Sequence, residues 1–409
     1  MKKITLLLFF ILNFLIFSAY AIELDLTEKK VGNYSLPLID FHGFIGQTYA
    51  KSTDNNFLAD TQDGTFDFRE MGLNMSMDIS NNLRFGTQVF ARKMGTIGDD
   101  KITLDYSYFD YNFTNWLAID AGRMKMAHGL YNETRDVDAL RTYIFLPGVY
   151  FDFARDTLIG IDGAGINGNI GLGFLGNVNY QARGGTMVLP DDGGVAKFFS
   201  GTGMMEVDNF DAESNGSQNY SLVWNTPLKG LRFGSTLITG EFDINGTRTG
   251  AFGDIPGDPI LVNYHSMEIS VYSIEYTWEN LVLSSEYMEL DADMTFPAPI
   301  PEMKQAMGGY YFGASYRLNE LFELGILYSI YYPDREDKDG DNNVARGMPD
   351  YSAWLKDWGF SVRYDINEYL ILKLEHHIMN GTAMMFAQDN PEGTIEDWDM
   401  TAAKLSFTF

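Results

Sequence analysis

The stretch from Met126 to Asp156, MAHGLYNETRDVDALRTYIFLPGVYFDFARD, gathers more side chains able to do chemistry than any other part of this chain. It carries Arg135, Arg141, Arg155, His128, Glu133, Asp136, Asp138, Asp152 and Asp156, and Arg123 and Lys125 stand just before it. Across 121–160 basic and acidic residues balance five against five, whereas the whole chain has 29 Lys and Arg beside 56 Asp and Glu. Guanidinium groups fixed around a narrow passage raise the local anion concentration and lower the barrier to anion entry. The same arginines could instead pair with Asp136, Asp138, Asp152 and Asp156 and pin the stretch to whatever surrounds it. His128 adds a group that could tune the charge near neutral pH.

Other constellations point to less. Asp334, Asp337, Asp339 and Asp341 resemble the start of a calcium loop, but Gly340 falls inside the aspartate triplet and the closing glutamate is missing, so a solvated loop is expected. His42, His128, His265, His376 and His377 show no zinc spacing, and adjacent histidines on a strand point to opposite faces. No Ser-His-Asp arrangement can be assembled from strand positions, and the glycines of 163–176 sit in an alternating pattern rather than before a helix. No catalytic site, cofactor or metal is expected. The chain has no cysteine, which removes thiol and disulfide chemistry, and its net charge of −27 argues against nucleic acid as a partner.

The elements that must hold such a stretch are strands. Lys2 and Lys3, an apolar run from Leu6 to Phe17 and then Ala19-Tyr20-Ala21 describe a secretory signal peptide over residues 1–21, cleaved after Ala21. Its removal takes away two lysines and no acid, moving the charge from −27 to −29. No later apolar run is long enough for a membrane helix. Instead Met71, Leu73, Met75, Met77 and Ile79 alternate with polar residues, as do Leu83, Phe85, Thr87, Val89 and Ala91 beyond Ser80 to Asn82. Short turns recur at Thr114-Asn115, Asn167-Gly168-Asn169, Pro227 to Gly230, Glu279-Asn280, Asn319-Glu320 and Asn367-Glu368. Between them lie longer, acidic stretches near 50–64, 94–100, 126–156, 182–218, 241–263, 291–308, 333–352 and 380–398.

Seven short turns and eight long loops join sixteen strands, the rim pattern of a transmembrane antiparallel β-barrel. Segments 182–218 and 241–263 leave room for fourteen or eighteen. The mature chain from 22 to 409 then reads as one barrel domain, with 126–156 as its third long loop, folded into the lumen. Aromatics such as Tyr310, Phe312, Tyr316, Trp358 and Phe360 fall on the outward faces, some near strand ends, as interface girdles require. The opposite parity lines the lumen and carries Arg84, Arg92, Arg232, Arg317, Arg363, Lys373 and Lys404, with Glu70, Asp78, Asp105, Asp120, Glu286, Glu323, Asp357 and Glu375. Much of the negative charge is left for the outer loops, which could bridge to lipopolysaccharide. A soluble sandwich would instead bury its apolar faces against each other.

The last strand, Thr401 to Phe409, places Ala403, Leu405, Phe407 and Phe409 on one face. It resembles the closing strand of bacterial outer-membrane barrels, where Phe407 and Phe409 would be read by the barrel insertion machinery. Gly122-Arg123-Met124-Lys125, Gly129-Leu130-Tyr131-Asn132-Glu133-Thr134-Arg135-Asp136 and Ile144-Phe145-Leu146-Pro147 are similar to porins related to the phosphate-selective porin group. That resemblance implies a homotrimer in the bacterial outer membrane, passive diffusion of small ionic or polar solutes, and a constriction formed by Arg123, Arg135, Arg141 and Arg155. The chain departs from the phosphate-selective members in having few loop lysines and a strongly acidic balance. An outer-membrane hydrolase or adhesin barrel is the alternative, and activity on lipid or peptide with a blocked pore would mark it.

Overall fold

The computed structural model describes residues 30–31, 34–35, 39–201, 205–211, 216–250, 255–298 and 302–409. The signal peptide expected over 1–21 lies outside the described residues. Sixteen antiparallel strands close on themselves: β1 Ile39–Ser52, β2 Thr65–Asp78, β3 Leu83–Met94, β4 Thr103–Thr114, β5 Leu117–Lys125, β6 Gly160–Gly171, β7 Asn177–Met187, β8 Ser217–Asn225, β9 Leu231–Arg248, β10 Pro259–Trp278, β11 Leu281–Thr295, β12 Met303–Arg317, β13 Phe322–Tyr332, β14 Leu355–Asp365, β15 Leu370–Gly381 and β16 Asp397–Thr408. A further short strand, Met205–Asp211, pairs beside the loop end of β9 and stands outside the ring.

Closure is made by β16 on β1, from Met400 opposite Ser52 to Thr408 opposite Phe44, and Gly43 and Phe409 exchange backbone hydrogen bonds of 3.1 and 3.0 Å. A closed ring leaves no unpaired strand edge, which is what a chain facing hydrocarbon needs. Burial alternates with period 2 along β16, where Ala402, Lys404 and Ser406 are buried and Phe409 is exposed. Phe312, Tyr316, Leu324, Ile326, Trp358 and Phe360 are likewise exposed, the apolar outer belt read from the pattern, while Ile330 and Trp354 are covered at the loop end.

Seven short connections alternate with eight long ones. One expected turn is displaced. Asn167, Gly168 and Asn169 lie inside β6, opposite Gln181, Tyr180 and Asn179, and the chain turns at 172–176 instead. The glycines there serve close approach: a Cβ on Gly165 would collide with the Arg183 side chain and the Asp120 carboxylate that lie across it. Several loops are also shorter than the sequence suggests, because β9, β10, β11 and β12 run on through 241–248, 259–263, 291–295 and 303–308. The irregularity at Tyr264–Ser266 shifts the alternation in β10, with buried positions even before it and odd after it, which hides the strand's continuation from a period count.

Candidate functional site

Segment 126–159 joins β5 to β6 and is the third long connection, at the address expected of it. Four three-residue 3-10 turns and one short helical turn replace regular structure. Its two ends are tied together: Met126 N–H donates to Ile159 O at 2.9 Å, and Asn132 Nδ2 donates to Met126 O and Leu158 O at 2.8 Å each.

The segment makes hydrogen bonds to strands spread around much of the ring. Ala127 exchanges hydrogen bonds of 2.8 Å with Asn219 of β8, and Gly129 N–H donates to Thr236 of β9 at 3.1 Å. Glu286 of β11 accepts from Leu130 N–H at 2.8 Å and from the Tyr150 hydroxyl, and also from Ser273 and Tyr311. Only glycine fits at 129, with φ at +62°, because a Cβ there would meet both the Glu286 carboxylate and the Tyr150 hydroxyl. The Tyr143 hydroxyl reaches Ile326 O of β13 at 2.8 Å and Ala314 O of β12 at 3.2 Å, and Thr142 donates to Glu323. Glu375 of β15 accepts from Ile144 N–H at 2.6 Å and Phe145 N–H at 3.2 Å. Arg363 of β14 donates to Ala139 O at 2.6 Å.

The charges are paired rather than free. Asp138 meets Lys373 at 3.2 Å, Lys404 at 2.8 Å and Arg141 at 3.3 Å, and takes a hydrogen bond of 2.6 Å from Ser406. Burial pushes its carboxyl up, but Lys404, Lys373 and Arg141 outweigh that and hold it well below the usual carboxylate range. Arg155 spans Asp136 at 2.7 Å and Asp105 at 3.0 Å, with its guanidinium 3.6 Å from the centre of the Phe90 ring. Asp136, pushed up by burial and pulled down further by Arg155 and Lys125, stays below the carboxylate range. Arg135 pairs with Asp152, Lys125 with Asp136 at 2.9 Å, and Arg92 with Asp156 at 2.6 Å.

Arg123 stands apart from these. It shares a face of β5 with exposed Ile119, while the alternate residues Ala118, Asp120 and Met124 are buried, and it pairs across to Asp162 at 2.7 Å. That parity turns it away from the interior, so the structure does not bring it to the other arginines. Arg84, Arg232 and Arg317 sit near the short-turn ends of their strands and pair with Asp78, Glu275 and Asp365 at 3.7, 2.9 and 2.6 Å. Arg183 of β7, absent from the sequence candidates, is buried against Asp120 at 2.8 Å and donates to Lys125 O. The signal was there, since Arg183 alternates with outward residues, but assigning 182–218 to a loop hid it.

One partly open recess borders this network. Arg92, Arg135, Arg141, Arg155 and Lys404 line it against Glu70, Asp136 and Asp152. Arg69 and Lys93 also border it, with their charges paired to Asp100 and to Asp99 at 3.1 Å. A second, smaller cavity adjoins the first through Phe145, Leu146 and Asp152. Among the described residues no group of three or more His, Cys, Asp or Glu is arranged to hold a metal ion. Asp337 is buried and accepts from Asn342 N–H at 3.0 Å and Asn343 N–H at 3.3 Å, a local turn role.

His128 is fully buried in the segment, with Nε2 3.0 Å from Val149 O and no partner for Nδ1 among the described residues. Burial, with Arg135 adding to it, lowers its pKa to about 4, against about 6.5 in the unfolded chain. A depressed histidine gives stability that is complete above pH 6.5 and falls as pH drops toward 4, by about 2 kcal/mol at pH 5. Amide exchange across 126–159 is therefore expected to be faster at pH 5 than at pH 7.5 after correction for intrinsic rates. His128→Gln, neutral throughout, should remove the difference; equal pH dependence in both proteins would reject this account.

No protein-family model and no curated protein matches the sequence. Solved structures do. The chain is similar in fold to the outer-membrane protein OmpT of Vibrio cholerae, at 9% identity over 93% of this chain and 100% of that one, with a TM-score of 0.57. The outer membrane channel DcaP of Acinetobacter baumannii matches at 10% identity, 91% and 98% coverage and a TM-score of 0.56. An anion-selective porin from Comamonas acidovorans matches at 11% identity, 91% and 99% coverage and a TM-score of 0.56. At these identities the likeness establishes the fold, a closed sixteen-stranded antiparallel β-barrel.

Proposed function

We propose that this chain is an outer-membrane diffusion porin, not an enzyme, with a preference for small hydrophilic anions, and that segment 126–159 folds into its lumen as the constriction. The observation that carries the reading is the charge of the first cavity, where seven cations stand beside three acids in a chain of net charge −27. Lys125, His128, Arg135, Arg141 and Arg155 from the segment, with Arg92 and Lys404 from the wall, would form the constriction; Arg123 is left out of it. Hydrogen bonds between this one segment and side chains of β8, β9, β11, β13, β14 and β15, with backbone oxygens of β12 and β13 as further partners, support a lumen position. Its pairing into the wall implies a narrow pore whose width the segment sets and whose opening requires the segment to shift.

Entry to the membrane would follow removal of residues 1–21, with Phe407 and Phe409 presented to the insertion machinery and the acidic loops facing lipopolysaccharide. A homotrimer is the expected assembly, the resemblance to trimeric porins being its support. In a planar bilayer under a salt gradient, the purified chain should give conducting steps with a reversal potential of the anion-selective sign, reduced when Arg135 and Arg141 are both replaced by Ala. A cation-selective reversal potential would overturn the anion preference, and a silent bilayer the channel itself.

A further inference from the structure

Porin interiors are polar because water fills them, and the interior of this barrel departs from that on its loop side. Ile244, Ile260, Val262, Met288, Met294 and Met307 are buried on the inward faces of β9 to β12. The second cavity lies in the same half and is lined by Phe57, Leu58, Pro147, Met379, Met384 and Met400 among others. Phe57 packs against Phe145 and Trp398, with ring centres 6.3 and 6.0 Å apart. The polar residues on that cavity include Asp357 and His377, which pair with each other there: His377 Nδ1 lies 2.9 Å from Asp357 and its Nε2 2.7 Å from Glu375. Methionine side chains, unbranched and polarisable, adapt to apolar groups of varied shape.

The basic cavity shares Phe145, Leu146 and Asp152 with this apolar one. On its own side it holds a group still lacking a partner. Arg92 is 6% exposed and its Nη atoms are used by Asp152 O, Phe153 O and Asp156, but its Nε has no hydrogen-bond partner among the described residues. A buried guanidinium N–H without an acceptor is costly unless an anion or water completes it. A basic pocket wall to wall with a largely apolar pocket fits a molecule that has both parts.

Building on the anion-channel reading, we infer that the preferred solute is an amphiphilic organic anion: a carboxylate or similar head on an aliphatic or aromatic body, rather than inorganic phosphate. The head takes Arg92 and its neighbours, and the body lies along Phe57, Met379, Met384 and Met400. Inorganic phosphate would leave the apolar cavity without an occupant, and a neutral alcohol would leave the arginine unmet.

Equilibrium titration of the full chain in lipid nanodiscs tests this, with octanoate, butyrate, inorganic phosphate and octan-1-ol as probes and empty nanodiscs subtracted. Octanoate should bind at least tenfold more tightly than butyrate, phosphate or octan-1-ol. M379Q/M400Q should bring octanoate down to the butyrate level without changing butyrate, M379L/M400L should restore it, and Arg92→Gln should weaken both carboxylates. The ordering of the four probes on the unaltered chain is decisive even where a variant folds poorly. Phosphate binding as tightly as octanoate, no dependence on chain length, or octan-1-ol equal to octanoate would each overturn the inference. A silent bilayer together with tenfold-tighter octanoate binding would remove the channel and keep the site, so the two failures are distinct.

Discussion

Replacing Asp138 with Asn is expected to destabilise the folded barrel by about 3–5 kcal/mol, the cost of breaking a buried ion pair by removing one partner. Three cations converge on this carboxylate, and they differ in what they retain. Lys404 keeps Glu70, and Arg141 keeps the backbone oxygens of Arg135 and Tyr143. Lys373, fully buried, keeps only Tyr143 O at 3.1 Å. The loss should therefore be concentrated on Lys373, and adding Lys373→Met to Asp138→Asn should recover a large part of it, since an apolar residue in that place leaves no unpaired charge. Urea unfolding in lipid vesicles reads the stabilities, and amide exchange over 126–159 reads the local release. A single substitution costing under about 1 kcal/mol, the range of surface pairs, would show that Asp138 does not hold the segment.

The pH dependence separates this anchor from His128. A depressed carboxyl stabilises above its unfolded value of about 3.9 and loses that contribution only as pH falls through the still lower folded value. Between pH 6.5 and pH 4 the Asp138 and Asp136 anchors hold while the His128 contribution falls, so mild acid should loosen the middle of the segment and leave its pins in place.

The ring itself was legible because each strand repeats one physical constraint, apolar side chains outward at every second position, and short turns break the pattern where the chain reverses. The third connection was legible for the opposite reason: no period runs through it. The failures come from places where two constraints overlap. In β6 Asn167-Gly168-Asn169 looks like a turn, yet Gly168 lies close against the Trp116 backbone and Gly165 makes room for Arg183 and Asp120. In β10 the bulge at Tyr264–Ser266 shifts the alternation, and Ile260, Val262, Met267, Ile269 and Val271 face inward where polar residues were expected. A strand apolar on both faces reads as a run without alternation, which is how part of β10 passed for a loop. The resemblance grouped Arg123 with the constriction arginines, whereas the pleat of β5 puts it on the face of exposed Ile119. The pairing of arginine with aspartate inside 126–159 was readable only as one of two options, since spacing along an irregular segment does not determine which side chains meet.

Arg155 offers the sharpest discrimination between those options, because it closes two carboxylates at once and also borders the basic cavity. With Arg155→Met, Phe90 keeps an apolar neighbour in place of the guanidinium 3.6 Å above it, while Asp105 and Asp136 are left to Lys125, 3.6 and 2.9 Å away, and to Gln88 at 2.8 and 3.1 Å. One cation for two buried carboxylates should cost about 3–5 kcal/mol, as for other broken buried pairs. Adding Asp105→Asn restores one charge for one charge, with Asp136 and Lys125 remaining as a pair, and should return most of that loss; a coupling of at least about 1 kcal/mol in the cycle is expected for groups in direct contact. The reversal potential answers the second question. In the Arg155→Met, Asp105→Asn protein the wall has lost one charge of each sign, so a purely structural arginine predicts unchanged anion selectivity, whereas an arginine that attracts solute predicts a selectivity that stays reduced after stability has recovered.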